Sequence, residues 1–314
     1  MDELKLVERL RSEVPEDIDV TGAESRWRRR AYGSPVRRAY AAPVRRRRPL
    51  LLSGVAAAAC AGVVATFVAT HEDTGRMANV AAVLDQAADQ AAASPAPRAD
   101  QIVYQESVTR RRVGGVGRWY EVRNRTWLPA GGAGGGLIIE KNSIQPRPDE
   151  VLPPDGETTV GPCRDEPPID RPYLDALPTD TDALLDLFAK KGEGDRGDRQ
   201  WGAASDLIDR PASPKVRAAI FRAIAEIPGV RLRNDGVDAA GRPGVAVTRT
   251  QDGIRDELVF DRATHRFLGT RTVIAKNDNP LGPPGMTTQS SALLASRIVD
   301  KAPRPGPHAT PSGC

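Results

Sequence analysis

Apolar positions repeat along this chain in two ways, and each spacing predicts a different element. Val80, Leu84, Ala87 and Ala91 lie three or four residues apart and predict an amphipathic helix over Met77–Ala92. Alternation of apolar and polar residues predicts strands instead. Together the two patterns predict helices over Thr181–Lys191, Gln200–Ile208 and Pro214–Ile227 and strands over Gln101–Arg110, Gly117–Leu128, Leu137–Lys141, Val230–Arg233, Val245–Thr250, Glu257–Asp261, Phe267–Ala275 and Ala292–Val299. Helices grouped between two runs of strands indicate an α+β fold, in which a curved antiparallel sheet carries helices on one face.

One apolar run departs from both patterns. Leu50–Ala69 is twenty residues without a charge, which matches the hydrocarbon thickness of a bilayer. A cleaved signal peptide, a lipid attachment site at Cys60 and a buried core helix are the alternatives. Within the run, three small residues repeat every four positions and would allow close helix packing and a homodimer: Gly54, Ala58 and Gly62.

Basic residues crowd one flank of this run and set the expected topology. Four arginines precede it directly: Arg45, Arg46, Arg47 and Arg48. Because basic flanks stay in the cytoplasm, they predict a single-pass plasma-membrane protein with a cytoplasmic N-terminus and an extracytoplasmic C-terminus. Residues 1–49 carry 13 Lys and Arg against 8 Asp and Glu, whereas the rest of the chain carries 32 against 33. The overall charge of +4 is therefore no argument for nucleic-acid binding, and none is expected.

The charge pattern and the turn residues divide the chain into four expected parts. These are a basic cytoplasmic tail (1–49), the transmembrane helix (50–69), an extracytoplasmic α+β domain (70–302) with a proline-rich loop (146–172), and a disordered tail (303–314). In the first part, Leu4, Val7, Leu10 and Val14 form an apolar stripe that two short helices cannot bury. Residues 1–34 are therefore expected to dock on a cytoplasmic partner. Alternatively, the basic residues from Arg30 to Arg48 rest on anionic lipid or only set topology.

Residues that could carry chemistry are sparse. Three histidines lie far apart in the sequence, at His71, His265 and His308, and no hydrolase, metalloprotease or phosphate-loop motif is present. We therefore expect no catalytic residues, no cofactor and no metal site, although a carboxylate-based enzyme is a third alternative. Cys163 and Cys314 would both lie outside the cell and could form a disulfide or stay as free or intermolecular thiols.

Several short motifs resemble an uncharacterised actinobacterial family of single-pass membrane proteins, often encoded beside extracytoplasmic-function sigma factors. The resemblance rests on the start Met1–Leu4, the arginine-flanked apolar run, Leu84, the segments Leu177–Asp180 and Ala183–Leu185, and Glu257–Asp261 with Thr264 and Phe267–Gly269. A strand–Asp-x-x-Thr–strand hairpin is also distantly similar to envelope lipoprotein carriers, where a glycine usually follows the threonine. Here His265 takes that position, and histidine tolerates a positive φ better than most residues.

These observations predict a binding protein rather than an enzyme. The first hypothesis is an envelope sensor or regulator whose outer domain binds a lipid, peptide or protein and whose tail contacts a cytoplasmic partner. The alternative is a tethered lipid or lipoprotein carrier, or a chaperone-like protein, which uses the concave face of the sheet and has no need of the tail. Deleting residues 2–34 would silence the first and spare the second.

Overall fold

The structure is a computed structural model that describes residues 79–113, 117–132, 134–148, 150, 152, 155–163, 165–277, 279 and 281–314. The chain divides into two compact units, Met1–Ala58 and Ala59–Cys314, and all described residues belong to the second unit.

Ten strands of the described residues form one sheet. In chain order they are β1 (Ile102–Arg112), β2 (Trp119–Pro129), β3 (Gly136–Asn142), β4 (Gly156–Val160), β5 (Arg231–Val237), β6 (Pro243–Gln251), β7 (Ile254–Phe260), β8 (Phe267–Ile274), β9 (Thr287–Val299) and β10 (Thr310–Ser312). Their order across the sheet is β10-β4-β3-β2-β1-β9-β8-β7-β6-β5.

Pairing of β1 with β9 makes one sheet out of two meanders. Strands β1 to β4 follow one another by antiparallel neighbours, as do β5 to β9. Gln105 of β1 lies opposite Ser296 of β9, and this long antiparallel ladder joins the halves. Only β10 is parallel to its neighbour, β4. The first and last parts of the domain therefore meet at the centre of the sheet.

Four helices accompany the sheet in the described part of the chain. The first, α1, covers residues 79–92. The others lie between β4 and β5: α2 (Thr181–Phe188), α3 (Arg196–Ile208) and α4 (Pro214–Ala225). Each of these three begins at a residue whose side chain accepts a hydrogen bond from a backbone N–H. This N–H belongs to the first turn, where the helix itself offers no acceptor. These N-cap residues are Asp180, Asp195 and Ser213.

The main core lies between the helices and the strands β6 to β8. Trp201 and Phe188 are its largest buried side chains on the helices, and Leu258 and Phe260 meet them from the sheet. Arg249 of β6 also joins the two layers, because it donates to the Asp198 carboxylate in α3 and to the Pro228 carbonyl (3.1 Å). The helices therefore cover only part of one sheet face.

The predicted fold class is wrong. It assigned a transmembrane helix and an α+β domain to the chain, whereas the described residues form mostly sheet, in a single ten-stranded layer with few helices. The single layer forms because β1 pairs with β9, which joins two groups of strands that are far apart in the sequence.

The predicted plasma-membrane localisation is also wrong. None of the helices among the described residues is long and apolar enough to cross a bilayer. The described helices have 8 to 14 residues, whereas a crossing takes about 20. The predicted span, Leu50–Ala69, lies outside the described residues.

Two short strands lie where the sequence predicted loop or disorder. Strand β4 is inside the proline-rich segment 146–172, and β10 is inside the tail 303–314. The two pair in parallel, with Pro311 opposite Thr159. Each strand is too short to show an alternating pattern in the sequence, so only the pairing reveals them.

Candidate functional site

A groove runs between the helices and the sheet and encloses a cavity of about 620 Å³. Helix α1 and the start of α4 form one wall, and strands β1, β8 and β9 form the other. The cavity is bordered by Ala87, Gln90, Ala91, Ser94, Pro95, Pro97, Val103, Ala212, Pro214, Arg217, Phe221, His265, Arg266, Phe267, Leu293, Ser296, Arg297 and Ile298. This volume falls in the range of pockets that hold a small organic ligand.

The groove surface is part apolar and part polar, and its apolar patches come from both layers. Val103 and Ile298 lie opposite each other on β1 and β9 and form part of its floor. Phe221 of α4 and Phe267 of β8 also border it, and both pack edge-on against the Phe260 ring, at centroid distances of 5.5 and 5.8 Å. The phenylalanines are thus fixed by the core, so the apolar surface is largely preformed.

Positive charge lines the same groove. Arg217 and Arg266 both border the cavity, and no Asp or Glu occurs among its bordering residues in the described part of the chain. Burial lowers the pKa of the Arg217 guanidinium, although Tyr173 and Asp209 nearby oppose the shift. A guanidinium remains charged at neutral pH despite such a shift. The groove therefore combines apolar patches with bordering arginines, of which Arg217 has the Asp209 carboxyl nearby.

Two features of the fold place these cations. Arg217 lies in the first turn of α4, where Pro214 follows the Ser213 cap, so the positive end of the helix dipole adds to its charge. Its Nη2 donates to the Arg210 carbonyl (3.3 Å), which fixes the side chain. Arg266 lies in the β7–β8 turn, directly before β8 begins at Phe267.

The β7–β8 turn is built around Asp261. Its Oδ1 accepts hydrogen bonds from the Ala263 N–H (3.0 Å), the Thr264 N–H (2.7 Å) and the Thr264 hydroxyl (2.9 Å). The bonds from Thr264 lower the pKa of this carboxyl. His265 follows with a φ of 54°, as the Asp-x-x-Thr pattern requires, and together with Arg266 borders the cavity. The turn thus presents a histidine and an arginine at the edge of the groove.

Arg297 borders the cavity, but its guanidinium points away from it. Its guanidinium carbon lies 4.6 Å from the centroid of the Tyr104 ring. Tyr104 alternates with Val103, so the ring lies on the opposite face of the sheet. Arg217 and Arg266 are the other two arginines at the cavity border among the described residues.

The sequence had singled out different residues, and the structure describes only two of them. It joins Cys163 and Cys314 in a disulfide, with the sulfur atoms 2.06 Å apart. The topology arginines Arg45–Arg48 and the small residues Gly54, Ala58 and Gly62 lie outside the described residues. Among those it does describe, no group of three or more His, Cys, Asp or Glu side chains could hold a metal ion.

Sequence analysis did not find the groove residues. Arg217 and Val103 are more than a hundred positions apart, and only the packing of α4 beside the β1–β9 ladder brings their elements together. One signal was available in the sequence: the Asp-x-x-Thr turn, which fixes where His265 and Arg266 lie.

Comparison with known proteins assigns no family. No protein-family model and no curated protein matches the chain. Among solved structures, it is similar to a chain in the MucA/MucB complex of Pseudomonas aeruginosa, with 14% sequence identity and a TM-score of 0.26. The similar region covers 72% of this chain but only 59% of that one. A similarity at this level assigns no function to this chain.

Proposed function

We propose that this chain is a non-enzymatic binding protein that holds an anionic amphiphile in its groove. The observation that carries the proposal is a 620 Å³ cavity that combines apolar patches with bordering arginines and has no bordering carboxylate among the described residues. An apolar tail would cover the phenylalanines and aliphatic side chains, which stabilises the complex by burying apolar surface. An anionic group would pair with Arg217 and Arg266.

The charge preference can be measured with two probes that share one tail. Titration calorimetry of the full chain with dodecyl phosphate, below its micelle concentration, is expected to show saturable binding. Dodecyltrimethylammonium has the same tail and the opposite charge, and it is expected to bind at least tenfold more weakly. Equal affinity for both probes, or no binding of either, would contradict the proposal.

Two matched variants locate the anion within the groove. Arg266→Gln removes a bordering charge from an exposed turn and is expected to weaken dodecyl phosphate binding roughly fivefold. Arg262→Gln removes a charge from the same turn, but Arg262 does not border the cavity and donates to the Asn234 carbonyl. This control is expected to bind like the unchanged chain. An equal loss of affinity in both variants would mean that the turn attracts the anion through its net charge and that Arg266 makes no specific contact.

The sensor and carrier hypotheses are both compatible with such a ligand, and they differ in the role of the tail. Residues 1–34 lie outside the described residues, so a regulatory partner for them remains a prediction. Removing residues 2–34 is expected to leave dodecyl phosphate affinity unchanged under either hypothesis. A purified cytoplasmic regulator that binds the full chain and not the shortened one would support the sensor.

A further inference from the structure

Arginines and aromatic rings are interleaved on the sheet face opposite the groove, at the centre of the sheet. Side chains alternate between the two faces of a strand, and Val103 of β1 borders the groove. Tyr104 and every second residue after it on β1 therefore lie on the other face, and the strand registers continue that face onto β2 and β9. Its charged and aromatic residues on these three strands, which we call the arginine strip, are Tyr104, Glu106, Arg110, Arg112, Trp119, Glu121, Arg123, Arg125, Trp127 and Arg297.

The arginine strip has an excess of positive charge, since it holds five arginines and two glutamates. Each glutamate pairs with one arginine. Arg110 Nε lies 3.1 Å from Glu121 Oε1, and Arg123 Nη1 donates to Glu106 Oε1 (2.9 Å). Three arginines of the strip make no ion pair with a carboxylate in the described part of the chain: Arg112, Arg125 and Arg297.

These three arginines are held against aromatic rings instead. The guanidinium carbon lies 4.6 Å from the ring centroid for Arg112 over Trp119, 4.6 Å for Arg297 over Tyr104 and 6.0 Å for Arg125 over Trp127. The last two rings also pack against each other, with centroids 5.0 Å apart. A guanidinium that rests on a ring has already lost part of its side-chain freedom, so pairing it with an anion costs less conformational entropy.

The length of the strip matches a chain of charges better than a single ion. Arg297 lies opposite Tyr104, and Arg112 is eight positions further along β1. At about 3.4 Å per residue, the two ends are roughly 27 Å apart. A small anion would meet one of these guanidinium groups, whereas a linear polyanion would pair with several at once.

A cavity of about 240 Å³ lies at the Arg112 end of the strip. The strip contributes Arg110 and Trp119 to its border, and the other bordering residues are Val237, Asp238, Arg271, Thr287 and Ser290. The Asp238 carboxylate is already paired with Arg242, at 2.5 Å from Nη2 to Oδ2. The cavity therefore offers guanidinium and hydroxyl groups beside an indole ring, in a space that admits one sugar unit.

Two features of the strip distinguish among polyanions. Single-stranded nucleic acid is bound by stacking its bases on aromatic rings, but each ring of the strip already has a guanidinium over it. An extended peptide pairs with the edge of a sheet, whereas β1, β2 and β9 have neighbouring strands on both sides. An acidic polysaccharide needs neither feature, because its carboxylates pair with guanidinium groups and its hydroxyls form hydrogen bonds.

We propose that the arginine strip binds a linear acidic polysaccharide whose sugar units carry carboxylates. The carboxylates pair with Arg112, Arg125 and Arg297, and one sugar unit enters the cavity beside Trp119. This inference is independent of the proposed function, because the strip and the groove lie on opposite faces of the sheet.

Oligogalacturonate long enough to cover the strip tests the ligand class. Calorimetry of the full chain at low ionic strength is expected to show saturable binding that weakens as salt is added. The methyl ester of the same oligomer keeps the sugar backbone, loses the charges and is expected to bind at least tenfold more weakly. Equal affinity for both, or no binding of either, would overturn the inference. Tighter binding of oligothymidylate or oligoglutamate with the same number of charges would overturn it as well.

A pair of substitutions tests the location. Arg112→Gln combined with Arg125→Gln is expected to weaken oligogalacturonate binding roughly tenfold, since it removes two charge-assisted contacts. Arg196→Gln combined with Arg222→Gln removes the same charge from the helices, where both arginines are exposed and pair with Asp186 and Asp89. This control is expected to bind oligogalacturonate like the unchanged chain, and an equal loss in both double variants would overturn the assignment.

The strip variant also separates this inference from the proposed function. Its affinity for dodecyl phosphate is expected to equal that of the unchanged chain, because neither substituted arginine borders the groove. Its circular dichroism melt is expected to stay close to that of the unchanged chain, since neither arginine takes part in an ion pair of the strip. Loss of both ligands in this variant would overturn the assignment of the polysaccharide to the strip.

Discussion

Gly269 lies where strand β8 comes so close to β9 that a side chain has no room. A Cβ atom at this position would lie 2.1 Å from the Ser291 carbonyl oxygen and 2.7 Å from its carbon. The neighbouring Thr270 N–H donates to the Ser291 hydroxyl (3.0 Å), so the close approach is held by hydrogen bonds as well. Because the clash is with backbone, it cannot be relieved by rotating a side chain.

We expect Gly269→Ala to lower the free energy of unfolding by about 1–3 kcal/mol, the usual cost of overpacking. Urea denaturation monitored by circular dichroism measures this loss. Gly134→Ala is the matched control, because its Cβ would come no closer than 3.8 Å to Pro129, an ordinary contact. A Gly269→Ala variant as stable as the control would show that β8 and β9 can separate without cost.

Individual residues could be predicted from the sequence where the interaction is local. The Asp261 turn and the positive φ of His265 follow from four consecutive residues and match the structure. Gln105 shows the opposite case. Its burial depends on partners in β2 and β9, the latter almost two hundred positions away, so no local pattern marks it as buried.

A single arginine ties the loop after β3 back to the edge of β2. Arg118 donates to Glu150 from Nε (2.9 Å to Oε1) and from Nη2 (2.5 Å to Oε2), and its Nη2 also donates to the Gln145 carbonyl (2.7 Å). The Arg147 backbone N–H adds a bond to Glu150 Oε2 (3.0 Å). These bonds, led by that of Arg118, lower the pKa of Glu150 to about 2.

This lowered pKa predicts how the loop responds to acid. A carboxylate stabilised in the folded state contributes fully above its ordinary pKa of 4.5, and the contribution is lost as the pH falls towards 2. Side-chain NMR titration is expected to show Glu150 titrating near 2, and Arg118→Gln is expected to raise that pKa towards 4.5. Arg147→Gln keeps the backbone donor and is expected to leave the pKa low. A Glu150 that titrates near 4.5 in the unchanged chain would contradict the ion pair.

At the scale of elements, long patterned segments could be predicted and short ones could not. Strand β2, with 11 residues, and helix α4, with 12, lie close to the predicted ranges because the pattern runs over many residues. Strands β4 and β10 have five and three residues between prolines and glycines, and each forms only against the other or against β3. Their formation is a property of the assembled sheet rather than of their sequence.

At the scale of the whole molecule, the disulfide and the β4–β10 pair both join the segment after residue 303 to the segment around β4. Cys163 is buried beside Val160 and Tyr173, and Cys314 lies two residues after the end of β10. The bond spans a separation of 151 residues, so it removes a large part of the conformational entropy of the unfolded chain.

We expect Cys314→Ser to lower the free energy of unfolding by about 2–4 kcal/mol. Thermal melts of the unchanged chain with and without reductant, beside those of Cys314→Ser, measure the effect. The reduced chain and the variant are expected to melt together, and reductant is expected to have no effect on the variant. If reductant left the melting temperature of the unchanged chain where it was, the disulfide would make no contribution.

The same bond decides how the protein would carry mechanical force. Tension applied at Cys314 would pass straight to Cys163, so the segment between them, which holds α2 to α4 and β5 to β10, would bear no direct load. At about 3.3–3.6 Å per residue, that shielded segment stores on the order of 500 Å of extended chain. Of the elements around the groove, α1 and β1 lie in the path of the force, whereas α4, β8 and β9 lie outside it until one covalent bond is reduced.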